Sequence, residues 1–195
     1  MTSRTPEPPN GFHPVVLFPT APHVLDLSLP QRMPSEHLYS IGRYDEQRAI
    51  YTQELFEGLR TIHIGIDLGA PAGTPVYAFT DCVIYALGVN GSEGDYGPTI
   101  VTQQMVDGTS IWALYGHLSL KSLAEKKPGM AIRKGEQLGW LGHDQENGGW
   151  PPHVHFQLSR TAPQGHDMPG VVSPEERMDA LERYPDPRWV LGELY

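Results

Sequence analysis

The chain has 195 residues, of which 39% are hydrophobic and 19% charged, and its formal net charge is −9. That size and balance suit one domain with a proper core, while the acidic excess argues against nucleic-acid binding and against encounter with an anionic surface. Gly (21) and Pro (19) together exceed a fifth of the residues, which favours turns and short strands over long helices. The single cysteine, Cys82, permits no intrachain disulfide and is read as a small buried residue. No run approaches the roughly 18 apolar residues of a membrane span, so no membrane insertion is expected. The apolar run Val15–Phe18 is shorter than the roughly 7–15 residues of a signal core, and the chain as given is expected to be cytoplasmic.

Taken in chain order, residues 1–11 are polar and rich in proline, and disorder is expected there. Residues 1–60 form an N-terminal extension, with a strand expected at Pro14–Phe18 and a helical stretch from Arg43 to Glu57. In that stretch Arg43, Asp45, Glu46 and Arg48 read as a solvated charged face. The functional alternative is that the segment covers a cleft and Arg43 or Arg48 binds a substrate carboxylate. Residues 61–159 are dense in strand patterns and form the main domain. Residues 160–195 form a C-terminal extension in which Ser173, Pro174 and Glu176 open a short helix that Pro185 and Pro187 stop. Two segments, 71–87 and 128–141, share a plan of glycine turn, short apolar strand, turn and second strand. This repetition points to a compact all-β sandwich or barrel.

Three strand patterns carry polar groups suited to chemistry. In Thr61–Leu68, Ile62, Ile64, Ile66 and Leu68 alternate with His63, Gly65 and Asp67, so the histidine and the carboxylate share one face of a half-buried strand. Gly65 between them marks a close approach by another group. In Trp150–Leu158, Val154, Phe156 and Leu158 turn to the core and His153, His155 and Gln157 share the other face. His117 follows the strand Ile111–Gly116 and shares parity with Tyr115. A catalytic zinc takes three protein ligands from histidine and carboxylate and keeps one position for water, which this set of residues can supply. The helical His-Glu-x-x-His motif is absent.

The order His63-x-x-x-Asp67, Tyr115-Gly116-His117-Leu118 and His153-Val154-His155-Phe156 resembles the lysostaphin/LytM-type zinc metallopeptidases. The stretches Gly65–Ala78 and Lys134-Gly135-Glu136 resemble the same family. The resemblance implies a mainly antiparallel all-β fold of the duplicated-hybrid-motif type. It implies one Zn2+ per chain held by His63, Asp67 and His155, with His117 and His153 as the catalytic pair. The expected activity is hydrolysis of a peptide or small amide by a metal-activated water. The stretch Glu146-Asn147-Gly148-Gly149-Trp150-Pro151-Pro152 departs from the family's Gly/Ser/Thr-rich loop. It looks like that of peptidase-like domains in some bacterial multidomain proteins that also carry an aminotransferase-like domain.

Two other classes share the strand pattern. A catalytically silent peptide- or ligand-binding domain would have lost ligands, and all five positions are kept. A biotinyl domain needs a lysine at a hairpin tip, which is missing, and a phosphocarrier has no need for Asp67. The remaining histidines, His13, His23, His37 and His166, read as solvent-facing or local hydrogen bonders. His143 reads as a turn residue, and Trp150 as a core or cleft-wall residue.

Overall fold

The computed structural model describes residues 5, 7–29 and 38–195. The described strands in chain order are β1 (His23–Val24), β2 (Ser40–Gly42), β3 (Glu46–Gln47), β4 (Ile62–His63), β5 (Ile66–Gly69), β6 (Pro75–Tyr77) and β7 (Cys82–Asn90). They continue with β8 (Gly97–Val106), β9 (Thr109–Gly116), β10 (Ala131–Ile132), β11 (Gln137–Trp140), β12 (His153–Ser159) and β13 (Val171–Val172). Two short helices close the chain, α1 (Arg177–Arg183) and α2 (Arg188–Leu191). The main sheet has eight strands in the order β1-β2-β5-β12-β9-β8-β7-β10, antiparallel throughout except for β1 with β2. The fold is therefore all-β and mainly antiparallel, as the alternating patterns predict.

Local sequence explains the frame. Asp107 and Gly108 both take positive φ (48° and 76°), the conformation of a tight hairpin turn between β8 and β9. The duplicated plan is paired crosswise. β6 pairs with β11 and β7 with β10, so each half lends one strand to the other. The core is filled by the inward positions of these strands, including Ile66, Leu68, Ile100, Tyr115, Val154, Phe156 and Leu158.

Several expectations are corrected. Thr61–Leu68 is not one strand: it breaks at Ile64–Gly65. β4 lies in a small sheet between β3 and β13, and β5 joins the main sheet between β2 and β12. The Ile64 amide extends the pairing of β4 with β13, donating to the Gly170 carbonyl at 2.8 Å, before the chain turns into β5. The alternation survives the break because each half has its own core. Ile62 and Ile64 pack with Tyr96, Leu114 and Met168, whereas Ile66 and Leu68 join the main cluster.

Pro14–Phe18 forms no strand, although Val15, Val16 and Phe18 are buried. Pro14 and Pro19 bracket the run and lack an N–H, so no ladder forms: the Tyr77 amide donates to the Val15 carbonyl at 2.9 Å, and the buried side chains supply the rest of the packing. Arg43–Glu57 is not helical. It contains β3 and a 3-10 turn at Glu54–Phe56, and Asp45 takes a left-handed φ of 52° that interrupts any helix. Of the residues expected to be disordered, 1–4 and 6 lie outside the described residues, and Pro9–Gly11 forms a 3-10 turn. Ser173 and Glu176 exchange the reciprocal hydrogen bonds of a capping box, with α1 beginning at Arg177. The peptide bonds at Pro151 and Pro152 are trans.

Candidate metal centre

His63, Asp67 and His155 come from three strands and meet at one point. Asp67 on β5 and His155 on β12 are register partners, and β12 is also paired with β9, which sets Gly116 opposite His155. His63 arrives from β4, redirected by the break before Gly65. The three facing atoms form a tight triangle. His63 Nε2 is 2.9 Å from His155 Nδ1 and 3.1 Å from Asp67 Oδ1, and His155 Nδ1 is 3.2 Å from Asp67 Oδ1. Donors about 2.1 Å from a tetrahedral zinc would sit about 3.4 Å apart, close to this spacing. Gly65 is the required gap: a Cβ there would lie 2.4 Å from His155 Cε1.

The far side of each imidazole fixes its tautomer. His63 Nδ1 donates to the Arg43 carbonyl at 2.8 Å, and His155 Nε2 donates to Gln157 Oε1 at 3.0 Å. The Gln157 amide is itself oriented, because its Nε2 donates to the Pro169 carbonyl at 3.2 Å. His117 Nδ1 donates to the Asn147 carbonyl at 2.7 Å and His153 Nδ1 to the Pro151 carbonyl at 2.7 Å. Each of these oxygens only accepts, so the proton sits on the far nitrogen and the other nitrogen keeps a bare lone pair. Two such lone pairs 2.9 Å apart, with a carboxylate oxygen beside them, repel one another unless a cation lies between them. The donor set therefore fits a metal ion, with the outer hydrogen bonds that metal-binding histidines require.

The electrostatics agree. Burial lowers the His63 pKa from 6.5 to about 4, with Arg48 adding to the effect. Burial likewise holds His117 well below its ordinary value and lowers His153. Burial alone would raise the Asp67 pKa, but His63, Arg48 and His153 outweigh it and hold the carboxyl well below the usual carboxylate range. Near neutral pH these three rings are uncharged and Asp67 is anionic.

His153 Nε2 lies 3.7 Å from Asp67 Oδ1, and the His117 and His153 rings pack 4.3 Å apart between centroids, tilted by 39°. His117 does not share the face of Tyr115. Tyr115 is in the core opposite Phe156, while His117 takes a left-handed φ of 60° just after β9 and swings to the other side. That conformation costs a non-glycine residue about 1 kcal/mol. It is held by the His117 amide donating to the Tyr96 carbonyl at 2.7 Å and by the Gly142 amide donating to the His117 carbonyl at 3.0 Å.

The cluster lies in the wall of a cavity of about 610 Å³, which the N-terminal residues Leu25, Ile50, Tyr51 and Phe56 also line. Trp150 is a cleft-wall residue, with Nε1 donating to the Gly94 carbonyl at 3.0 Å. Arg48 is buried behind Asp67 rather than solvated. His143 is exposed and outside the cavity wall. His13 bonds locally to the Pro14 carbonyl, His23 is exposed, His166 packs on Gly88, and His37 lies outside the described residues. Sequence reasoning missed Tyr96 and Asn147. The Tyr96 hydroxyl donates to the Met168 carbonyl at 3.0 Å, and its ring packs on both His117 and His155. No periodic signal marks either residue.

Residues 61–167 match the profile of Peptidase family M23. The match spans more than half of the chain, and the chain belongs to that family. The DD-carboxypeptidase/endopeptidase Mpg of Neisseria meningitidis is 36% identical over 96 residues, which are 49% of this chain and 20% of Mpg. The peptidoglycan DD-endopeptidase ShyC of Vibrio cholerae is 28% identical over 143 residues, covering 63% of this chain and 29% of ShyC. The chain thus spans less than a third of the length of these relatives. The catalytic domain of the antimicrobial peptidase lysostaphin from Staphylococcus simulans shares the fold. Its TM-score is 0.50 at 24% identity, over 72% of this chain and 92% of that domain.

Proposed function

We propose that the chain is a zinc-dependent metallopeptidase that hydrolyses a peptide or amide bond. His63, Asp67 and His155 would hold one zinc ion, with His117 and His153 as the catalytic pair. The observation that carries this reading is the convergence of bare imidazole nitrogens and one carboxylate oxygen on a single point in the cavity wall. Zinc bound there would supply a Lewis acid and an acidified water at neutral pH. The neutral rings of His117 and His153, with their outer N–H groups engaged, offer lone pairs that take a proton from the attacking water and return it to the leaving amine.

The names of the curated relatives favour a cell-wall peptide as substrate. The test is metal content together with turnover on a panel of peptides that includes crosslinked muropeptides. The expected result is one zinc per chain and cleavage of at least one peptide class. His117→Ala and His153→Ala should keep the metal and lose about 10²–10⁴-fold in rate. Full turnover in both variants with zinc still bound would refute the pair.

A further inference from the structure

Arg48 lies on the chain just after β3, outside the residues that match the family, and is 4% exposed. Four of its guanidinium N–H groups donate to partners within the protein. Nη1 donates to Asp67 Oδ2 at 2.7 Å and to the Tyr51 hydroxyl at 3.0 Å. Nε donates to Glu46 Oε2 at 2.9 Å, and Nη2 donates to the Arg43 carbonyl at 3.2 Å. A fork committed in this way has no donor pair left for a substrate carboxylate.

The two oxygens of Asp67 are thereby divided. Oδ2 belongs to Arg48, and Oδ1 alone faces His63 Nε2 and His155 Nδ1. The Arg43 carbonyl that receives Arg48 Nη2 is the same one that receives His63 Nδ1. Arg48 therefore connects to Asp67 directly and to His63 through one shared oxygen. Space for this comes from Gly42, where a Cβ would lie 2.7 Å from both Arg48 Nη2 and Asp67 Oδ2.

We infer that Arg48 is a positioning residue of the metal centre, supplied by the N-terminal segment, which keeps Asp67 a one-oxygen donor and fixes the approach of His63. The inference rests on the metal-binding reading above. Its role is to restrict the carboxylate: without Arg48, Asp67 is free to turn and offer both oxygens. The planar fork matters as well as the charge, because a lysine cannot reach Glu46, Tyr51, Arg43 and Asp67 together.

The test uses the full chain with Arg48→Gln and Arg48→Lys. Zinc affinity is measured by competition with a chromophoric chelator, and the visible absorption of the cobalt(II)-substituted proteins is recorded. Arg48→Gln should weaken zinc binding about 10–100-fold. It should also lower the intensity of the cobalt bands, as a second carboxylate oxygen joins the ion. Arg48→Lys should shift both in the same direction by less, and it decides the matter if Arg48→Gln does not fold. Unchanged zinc affinity and cobalt bands in the folded variants, with KM raised only for substrates bearing a carboxylate, would overturn the inference and make Arg48 a substrate anchor. A parent protein that binds no zinc would overturn the metal reading itself, a distinguishable outcome.

Discussion

Asp67 and His155 face each other as register partners on β5 and β12, with Oδ1 3.2 Å from Nδ1. An acid and a base this close in a buried site would normally share a proton. Here the His155 proton is drawn to the opposite nitrogen by Gln157, so the near edge presents two acceptors to each other.

That arrangement makes Gln157 a testable support. Gln157→Leu removes the acceptor that holds His155 in its tautomer. Zinc affinity, read by chelator competition, should fall about 10–100-fold while the fold persists. Gln157→Glu retains an acceptor and should stay within a few-fold of the parent.

Gly65 offers a steric prediction. In Gly65→Ala the new methyl would sit 2.4 Å from His155 Cε1 and 2.6 Å from Nε2. The ring must rotate or the strand must shift, at about 1–3 kcal/mol of stability, as with other overpacked sites. Thermal unfolding and metal content together should show a lower midpoint and substoichiometric zinc.

The metal-free protein should be sensitive to acid. His63, His117 and His153 all have folded pKa values lowered by burial, His63 to about 4. Below about pH 6.5 the unfolded chain takes up protons that the folded chain refuses. The stability these rings contribute is therefore present above the unfolded pKa and lost as pH falls toward the folded values. Each ring removes about 1.4 kcal/mol per pH unit in that window. Denaturant titrations of chelator-treated protein at pH 7 and pH 5 should show a clear drop at the lower pH.

His143 serves as a control. It is exposed and absent from the cavity wall, so His143→Ala should leave zinc content and turnover within about twofold of the parent. A large loss of rate would mean that the cleft extends over the 142–149 turn.

The shared face of His153, His155 and Gln157 is legible in the sequence because alternation is a property of the strand itself. His153, His155 and Gln157 share a face wherever β12 is placed. The break at Ile64–Gly65 is not legible, since isoleucines continue the period on both sides while entering different clusters. His117 reaches the site through a left-handed residue that strand parity does not anticipate. Arg48 is harder still. In sequence it sits in a run of mixed charge, and only the pairing of β2 with β5 and β3 with β4 turns it inward. Burial of a charged residue depends on partners distant in the chain, and composition carries no trace of them.

The pairing of β2 and β3 with β5 and β4 has a practical consequence for anyone isolating the catalytic part. A fragment cut at residue 61 would strip the neighbour from one long side of β5 and leave its amides and carbonyls bare to any other chain with a matching edge. Such a fragment would invite self-association, and clumping in the tube would then be a symptom of the incision rather than a trait of the enzyme.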